Sequence, residues 1–192
     1  VQTCALPIYA MGAPMNMLAA IGVYAALQKA AACPLSWPGG VSGVAEAIDA
    51  DLLAAAIAFS FDNPEFANEV FNITNGDVFR WQDLWPDIAS CFDMEIGEPA
   101  PMLLSQTLYE REAEWQSLVS KYDLAPCTVR QLVGDSFYYA DALFNAGRES
   151  SPPPALLSTI KLRQAGFQGC IDTPAMFEKW FEKLRALKVL PP

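Results

Sequence analysis

Histidine is absent from all 192 positions, which removes Ser-His, Cys-His and zinc-His chemistry together. Positive charge is scarce as well. Twelve Lys and Arg stand against 22 Asp and Glu, a formal net charge of −10, and Lys29 is the only basic residue before Arg80. Binding through counterion release needs clustered cations, so nucleic acid and anionic lipid are excluded as partners. The basic residues near the end (Lys179, Lys183, Arg185, Lys188) alternate with Glu178 and Glu182, the pattern of a solvated helix face. No apolar run approaches the roughly 18 residues of a membrane span. The most apolar stretch, residues 15–32, contains Asn16, Gln28 and Lys29 and reads as a buried helix. The five cysteines (Cys4, Cys33, Cys91, Cys127, Cys170) include no C-x-x-C. An odd, widely spaced set fits buried thiols in a reducing compartment. Residues 1–7 show no basic start and no long apolar stretch, so the expected location is cytoplasmic.

What is present is apolar material: 53% of residues are hydrophobic and 18% charged. That is enough for one domain with a real core. The excess over a typical soluble domain is also what a surface covered by a partner would contribute. Helices are expected over residues 14–32, with Pro14 in the first turn and Leu18, Ile21, Tyr24 and Leu27 as the seam. Asp49 caps a second helix to about residue 60, carrying Leu52, Leu53, Ala56 and Ile57. Spacing through Leu108, Trp115, Leu118, Val119 and Tyr122 predicts a helix over 104–122. A short helix over 158–166 closes on Gly166. The last begins with Thr173 as cap and Pro174 at its first position, then Phe177, Trp180, Phe181 and Leu184. Residues 34–43 form a loop with a short strand near 35–37, and 95–101 read as a linker with two prolines.

The most informative string is Asn72-Ile-Thr-Asn-Gly-Asp-Val-Phe-Arg-Trp-Gln-Asp-Leu-Trp85. A short apolar strand, 70–73, runs into Asn75-Gly76-Asp77, whose residues tolerate positive φ. Trp81, Leu84, Trp85, Ile88 and Ala89 then share one helix face. Pro86 interrupts that helix and predicts a kink or a late start. Strand, turn and helix in this order indicate an α/β protein, where ligands sit beyond the carboxyl ends of strands.

The same string closely resembles the "NxSNGDxFxWxxLW" signature of the progesterone 5β-reductase and iridoid synthase-like group. These are extended short-chain dehydrogenases/reductases of the NAD-dependent epimerase/dehydratase superfamily. The likeness covers residues 9–192, beginning at Tyr-Ala-Met-Gly-Ala-Pro-Met-Asn-Met, which resembles the segment after the group's "RPxxIxG" strand. Residues 1–8 resemble translated sequencing-adapter read-through and read as a non-native leader. The resemblance implies the C-terminal half of a Rossmann-type reductase, mostly helical, mixing the substrate domain with the last Rossmann elements.

For the intact protein it implies reduction of an activated alkene, an enone or enal, with hydride passing to the β-carbon. A tyrosine supported by a lysine would stabilise the enolate oxygen. NADPH or NADH would be held mainly by the other half. Neither motif occurs here. There is no G-x-G-x-x-G, since Gly39-Gly40 with Gly43 follows Trp37-Pro38 as a loop. There is no Tyr-x-x-x-Lys, since Gln28 stands four residues after Tyr24. The chain alone is therefore expected to be inactive, with no catalytic and no cofactor-binding residue. With strand 70–73 lacking its neighbours, it is also expected to be aggregation-prone or partly molten.

Two places match the group's substrate side. Met15 and Asn16 match its "MN" segment at the mouth of the site, where an amide orients a carbonyl and methionine forms an adaptable wall. An Asn16 that only satisfies the first helical turn is the equal alternative. Tyr139-Ala140-Asp141 matches an "F-x-D" position whose aromatic lines the pocket, with Tyr in place of Phe making the wall more polar. Phe137 and Tyr138 are its neighbours, and packing alone accounts slightly better for all three. Trp81 and Trp85 read as core, Asp77 as a cap, and Cys91 and Cys127 lack basic neighbours that would activate a thiol. The implied partner is a small carbonyl substrate, and a homodimer is an admissible assembly. The rival readings are an epimerase or dehydratase of the same superfamily, a self-sufficient small-ligand binding module, and a helical interaction domain.

Overall fold

Asn16 sets the start of the first helix. Its Oδ1 accepts the Ala19 N–H at 3.1 Å and α1 runs from Met17 to Ala30. The computed structural model describes residues 15–192. The readings of 1–8 as a leader, of the likeness beginning at Tyr9, of Cys4 and of Pro14 lie outside the described residues. Every residue from Met17 to Leu27 is buried, so α1 is a central helix, apolar on all sides. It contacts β1 (Leu35–Ser36), α5 (Glu112–Tyr122), α6 (Val129–Val133), α7 (Ser136–Leu143) and α9 (Thr173–Ala186). The Asp49 carboxylate accepts the Leu52 N–H and opens α2, Ala50–Phe61.

The aromatic stripe folds as its spacing predicts. Trp81, Leu84, Trp85, Ile88 and Ala89 are the buried face of α3, Trp81–Cys91, which packs on α9. Pro86 does not delay that helix. It lies on the exposed face, where water can satisfy the Gln82 carbonyl that loses its intrahelical donor. Trp37, Trp81, Trp85 and Phe144 interlock with ring centroids 4.8–5.6 Å apart. The Trp85 indole donates to the Leu35 carbonyl at 3.2 Å. The Gly39 turn needs glycine, since a Cβ there would stand 2.3 Å from the Phe144 carbonyl oxygen.

Several expectations are corrected. The 95–101 linker contains β4 (Ile96–Gly97), paired parallel to β1 with Leu35 opposite Ile96. The pairing continues as Ala100 N–H to Trp37 O and Met102 N–H to Pro38 O. Pro99 and Pro101 fall at the alternate positions that need no donor. The stretch 70–73 forms no strand, because no other strand among the described residues lies beside it. Instead β2 (Val44–Ala45) pairs antiparallel with β3 (Phe79–Arg80).

The helix expected over 104–122 breaks into α4 (Leu104–Thr107), a 3₁₀ turn at Tyr109–Arg111, and α5. Tertiary bonds explain the break: Tyr109 Oη donates to the Gly134 carbonyl at 2.6 Å, and Arg111 reaches the Leu27 carbonyl at the end of α1. The helix near Gly166 is shorter than expected, as α8 covers Ile160–Gln164. Thr173 is the first residue of α9, not its cap, which is Asp172. Cys33 and Cys170 are exposed, against the expectation of buried thiols.

The described residues are thus mostly helical with two small sheets, one parallel and one antiparallel. A second apolar cluster (Ile48, Ala56, Ile73, Leu162, Phe167) sits apart from the main core under α2. Among the described residues, no helix is long and apolar enough to cross a membrane.

Candidate functional site

The starts of α1 and α7 are joined. Asn16 N–H donates to the Ser136 hydroxyl at 2.8 Å, a buried bond across 120 residues of sequence. Tyr139 lies about one turn beyond Ser136 on α7, beside the helix's buried face of Ser136, Phe137, Ala140 and Asp141. Tyr139 is half-buried and packs on the core, while Met15 is 44% exposed just ahead of Asn16. Met15 and Asn16 thus stand where α1 meets the start of α7, and Tyr139 lies one turn further along α7.

Phe137 and Tyr138 part company from it. Phe137 is buried, edge-on to Tyr109 with centroids 5.0 Å apart, and Tyr138 is 55% exposed. Successive residues on a 3.6-residue turn point about 100° apart, so three consecutive aromatics do not line one wall. Asn16 is a helix cap through Oδ1, which accounts for its burial without a ligand.

Sequence reasoning passed over Asp141 as a chemical group. Its carboxylate accepts Leu104 N–H at 2.7 Å, Ser105 N–H at 3.1 Å and the Ser105 hydroxyl at 2.5 Å. It thereby caps α4 from α7 and fixes the segment leading to Tyr109. Its sequence signal is the Asp of the "F-x-D" match.

The Asn75-Gly76-Asp77 turn is a structural knot. Asn75 is fully buried. Its Oδ1 accepts Asp49 N–H at 2.7 Å, its Nδ2 donates to Thr173 Oγ1 at 3.1 Å, and its carbonyl accepts Ile171 N–H at 3.1 Å. Asp77 is a cap, as its composition suggested, but of a distant helix. It accepts Thr173 N–H at 2.8 Å and the Thr173 hydroxyl at 2.7 Å at the start of α9. Gly76 takes φ +109°, a conformation that favours glycine.

Asp49 anchors the same knot from the other side, accepting from the Trp180 indole at 2.7 Å and lying 2.6 Å from the Lys179 ammonium. Burial pushes its carboxyl up, but the bonds from Lys179, Leu52 and Trp180 outweigh this and hold it below the ordinary carboxylate value. A depressed folded-state pKa adds stability that is complete above the unfolded value, about 3.9, and lost as pH falls below it. Asp49→Asn is expected to weaken the chain at pH 7 and to flatten the acid limb. Urea midpoints from pH 3 to 7 check this, and parallel acid limbs for both proteins would contradict it.

Cys91, Cys127 and Tyr24 are not primed for catalysis. Burial pushes the Cys91 thiol up to about 11 and raises that of Cys127. Tyr24 donates to the Ser36 carbonyl at 3.0 Å, and burial pushes its hydroxyl to about 12. Gly40 N–H is engaged by the Phe144 carbonyl and is closed to a phosphate. Among the described residues no group of His, Cys, Asp and Glu could hold a metal ion. A groove of about 380 Å³ lined by Lys29, Glu114, Lys121 and Tyr122 lies at the far end of α1. At a 1.5 Å rise per residue that is about 20 Å from Asn16.

No family model matches the chain. Curated relatives do. It is 34% identical over 183 residues to (S)-8-oxocitronellyl enol synthase of Antirrhinum majus, covering 92% of this chain and 45% of the relative. It is 27% identical over 185 residues to the (S)-8-oxocitronellyl enol synthase of Catharanthus roseus, with the same coverages of 92% and 45%. It is 29% identical over 183 residues to 3-oxo-Delta(4,5)-steroid 5-beta-reductase of Arabidopsis thaliana, again 92% and 45%. The chain is a homologue of the iridoid synthase and progesterone 5β-reductase enzymes, and it spans about half the length of the relatives it matches.

Proposed function

We propose that the chain is the substrate-side part of a Rossmann-type, nicotinamide-dependent oxidoreductase that reduces the activated C=C bond of an enone or enal. The observation that carries this reading is similarity over 92% of the chain to enzymes whose names point to one chemistry. One name specifies an enol and the other reduction of a 3-oxo-Δ4,5-steroid. Adding hydride to the β-carbon of a conjugated carbonyl generates an enolate, so one chemistry serves both.

The described residues do not fit a nicotinamide cofactor. The only adjacent glycine pair among them, Gly39-Gly40, is closed onto Phe144, and Tyr24 is buried with its hydroxyl engaged. NADPH or NADH belongs to polypeptide outside this match. The chain's own contribution is the joint of α1 and α7. There Asn16 and Ser136 fix two helix starts, Tyr139 presents a half-buried phenol, and Met15 offers an adaptable apolar wall. Such a wall positions a substrate carbonyl and excludes water from it.

The test is a chimera. The part of the Antirrhinum majus enzyme that this chain does not match is placed ahead of residue 9. The 192-residue chain is expected to oxidise no NADPH or NADH with an enal, and the chimera is expected to turn over. Tyr139→Phe in the chimera is expected to shift KM between polar and apolar enones while changing kcat little. Turnover by the 192-residue chain alone, or a folded chimera that reduces no enone or enal, would overturn the proposal.

A further inference from the structure

The groove at the far end of α1 joins an apolar floor to a cationic rim. Ala26, Phe92 and Leu118 form the floor, and each is buried. Lys29 on α1 and Lys121 on α5 stand exposed on the rim, one from each helix. Lys29 donates to the Pro192 carbonyl at 3.4 Å, and Lys121 lies 4.9 Å from the centroid of the Tyr122 ring. Among the described residues, neither ammonium is paired with a carboxylate side chain. Glu114, the one acidic side chain lining the groove, is already held by Arg111, whose Nε donates to it at 2.9 Å. Counting the side chains of Lys29, Lys121 and Arg111 against Glu114 leaves positive charge in excess, on a chain whose net charge is −10.

We infer that this groove binds a small apolar carboxylate, its head between Lys29 and Lys121 and its body on the Ala26, Phe92 and Leu118 floor. Charge complementarity selects the occupant. An acidic chain repels anions from most of its surface, so a local cationic rim over an apolar floor favours an amphiphilic anion. Phosphate is a poorer fit, because the Arg111 guanidinium is spent on Glu114 and, at 3.2 Å, on the Leu27 carbonyl. Where the chain carries a terminal carboxylate at Pro192, that group shares Lys29, and Lys121 is then the stronger anchor. The volume of about 380 Å³ lies near the lower end of the roughly 300–1,000 Å³ of small-molecule sites, which sets a short body. The groove is about 20 Å from Asn16, so it is separate from the joint of α1 and α7 and independent of the reductase reading.

Equilibrium dialysis of radiolabelled octanoate against the 192-residue chain tests this. Octanoate is expected to bind at least about tenfold more tightly than octanol, its uncharged counterpart. Lys29→Gln combined with Lys121→Gln is expected to weaken octanoate about tenfold and leave octanol unchanged. Arg148→Gln, at an exposed cation on the loop after α7, is expected to change neither. Ala30→Trp fills the groove from an exposed helical position and is expected to abolish both. Circular dichroism checks folding, and should Ala30→Trp lose helicity, Ser117→Trp fills the groove from α5 instead. Should the chain aggregate, the same measurements on the chimera decide. Equal binding of octanoate and octanol overturns the inference. So does undiminished octanoate binding in the double lysine variant or in the groove-filling variant. A loss in Arg148→Gln as large as in the lysine pair would mark nonspecific attraction and overturn it too. Inorganic phosphate that displaces octanoate at equal concentration would overturn the carboxylate assignment.

Discussion

Asn75→Ala is expected to lower the stability of the chain by about 3 kcal/mol, from two buried hydrogen bonds at about 1–3 kcal/mol each when one partner is left unsatisfied. The truncation strands the Asp49 N–H, which sits in a buried residue, and removes the donor to Thr173 Oγ1. The Asn75 backbone bonds to Ala47 and Ile171 survive, so the change isolates the carboxamide. Asn75→Asp keeps an acceptor for Asp49 N–H but loses the Nδ2 donor and adds a charge near Asp49 and Asp77. It is expected to cost as much. Thr173→Val removes two hydroxyl bonds, the one donated to Asp77 and the one accepted from Asn75 Nδ2, and is expected to cost about 2 kcal/mol. Urea denaturation of the three variants measures the series. A cost below about 1 kcal/mol for Asn75→Ala would show that the knot is not what joins α2, the turn and α9.

Asn75 also marks where sequence reasoning stops. Trp81, Leu84, Trp85 and Ile88 were legible as a core face because helical periodicity is a local property that burial rewards directly. Asp49 was legible as a cap for the same reason, since the N–H it accepts lies three residues away. Asp77 was legible only in kind: its partner Thr173 is 96 residues distant, and nothing local says which helix a carboxylate will cap. Strand 70–73 was read from an apolar run, yet a strand is defined by a neighbour that the run does not contain. The strand at 96–97 was hidden for the opposite reason. Its flanking prolines suggested a linker, although they sit at positions where the pairing needs no donor.

The candidate site shows the same division. Asn16 is tied to α7 through Ser136, a residue with no distinguishing sequence signal, and Tyr139 lies one turn further along that helix. Phe137 and Tyr138 adjoin Tyr139 in sequence. On a helix, adjacency separates side chains, and one of the pair went into the core and the other toward water.

Asp141→Ala is expected to have an effect of similar size, about 3 kcal/mol, because hydrogen bonds to a charged acceptor are worth roughly 1.5–3 kcal/mol each and three are lost. The three are not independent, since Ser105 supplies two of them, so the sum is discounted. Asp141→Asn retains one acceptor oxygen and turns an NH₂ toward Ser105, and is expected to fall between. Asp135 provides the contrast. It lies six residues earlier in a solvent-exposed pair with Arg130 at 2.8 Å, and exposed pairs contribute about 0–1 kcal/mol. Asp135→Ala should therefore be nearly neutral.

In the chimera, Asp141→Asn should raise KM for an enal more than it lowers kcat. The carboxylate touches α4 rather than any reacting atom, yet it ties α4 to the helix that carries Tyr139. A purely structural role would lower the urea midpoint and leave KM alone. A positioning role moves both, and restoring the carboxylate one methylene further out, with Asp141→Glu, should recover the midpoint only in part and KM hardly at all.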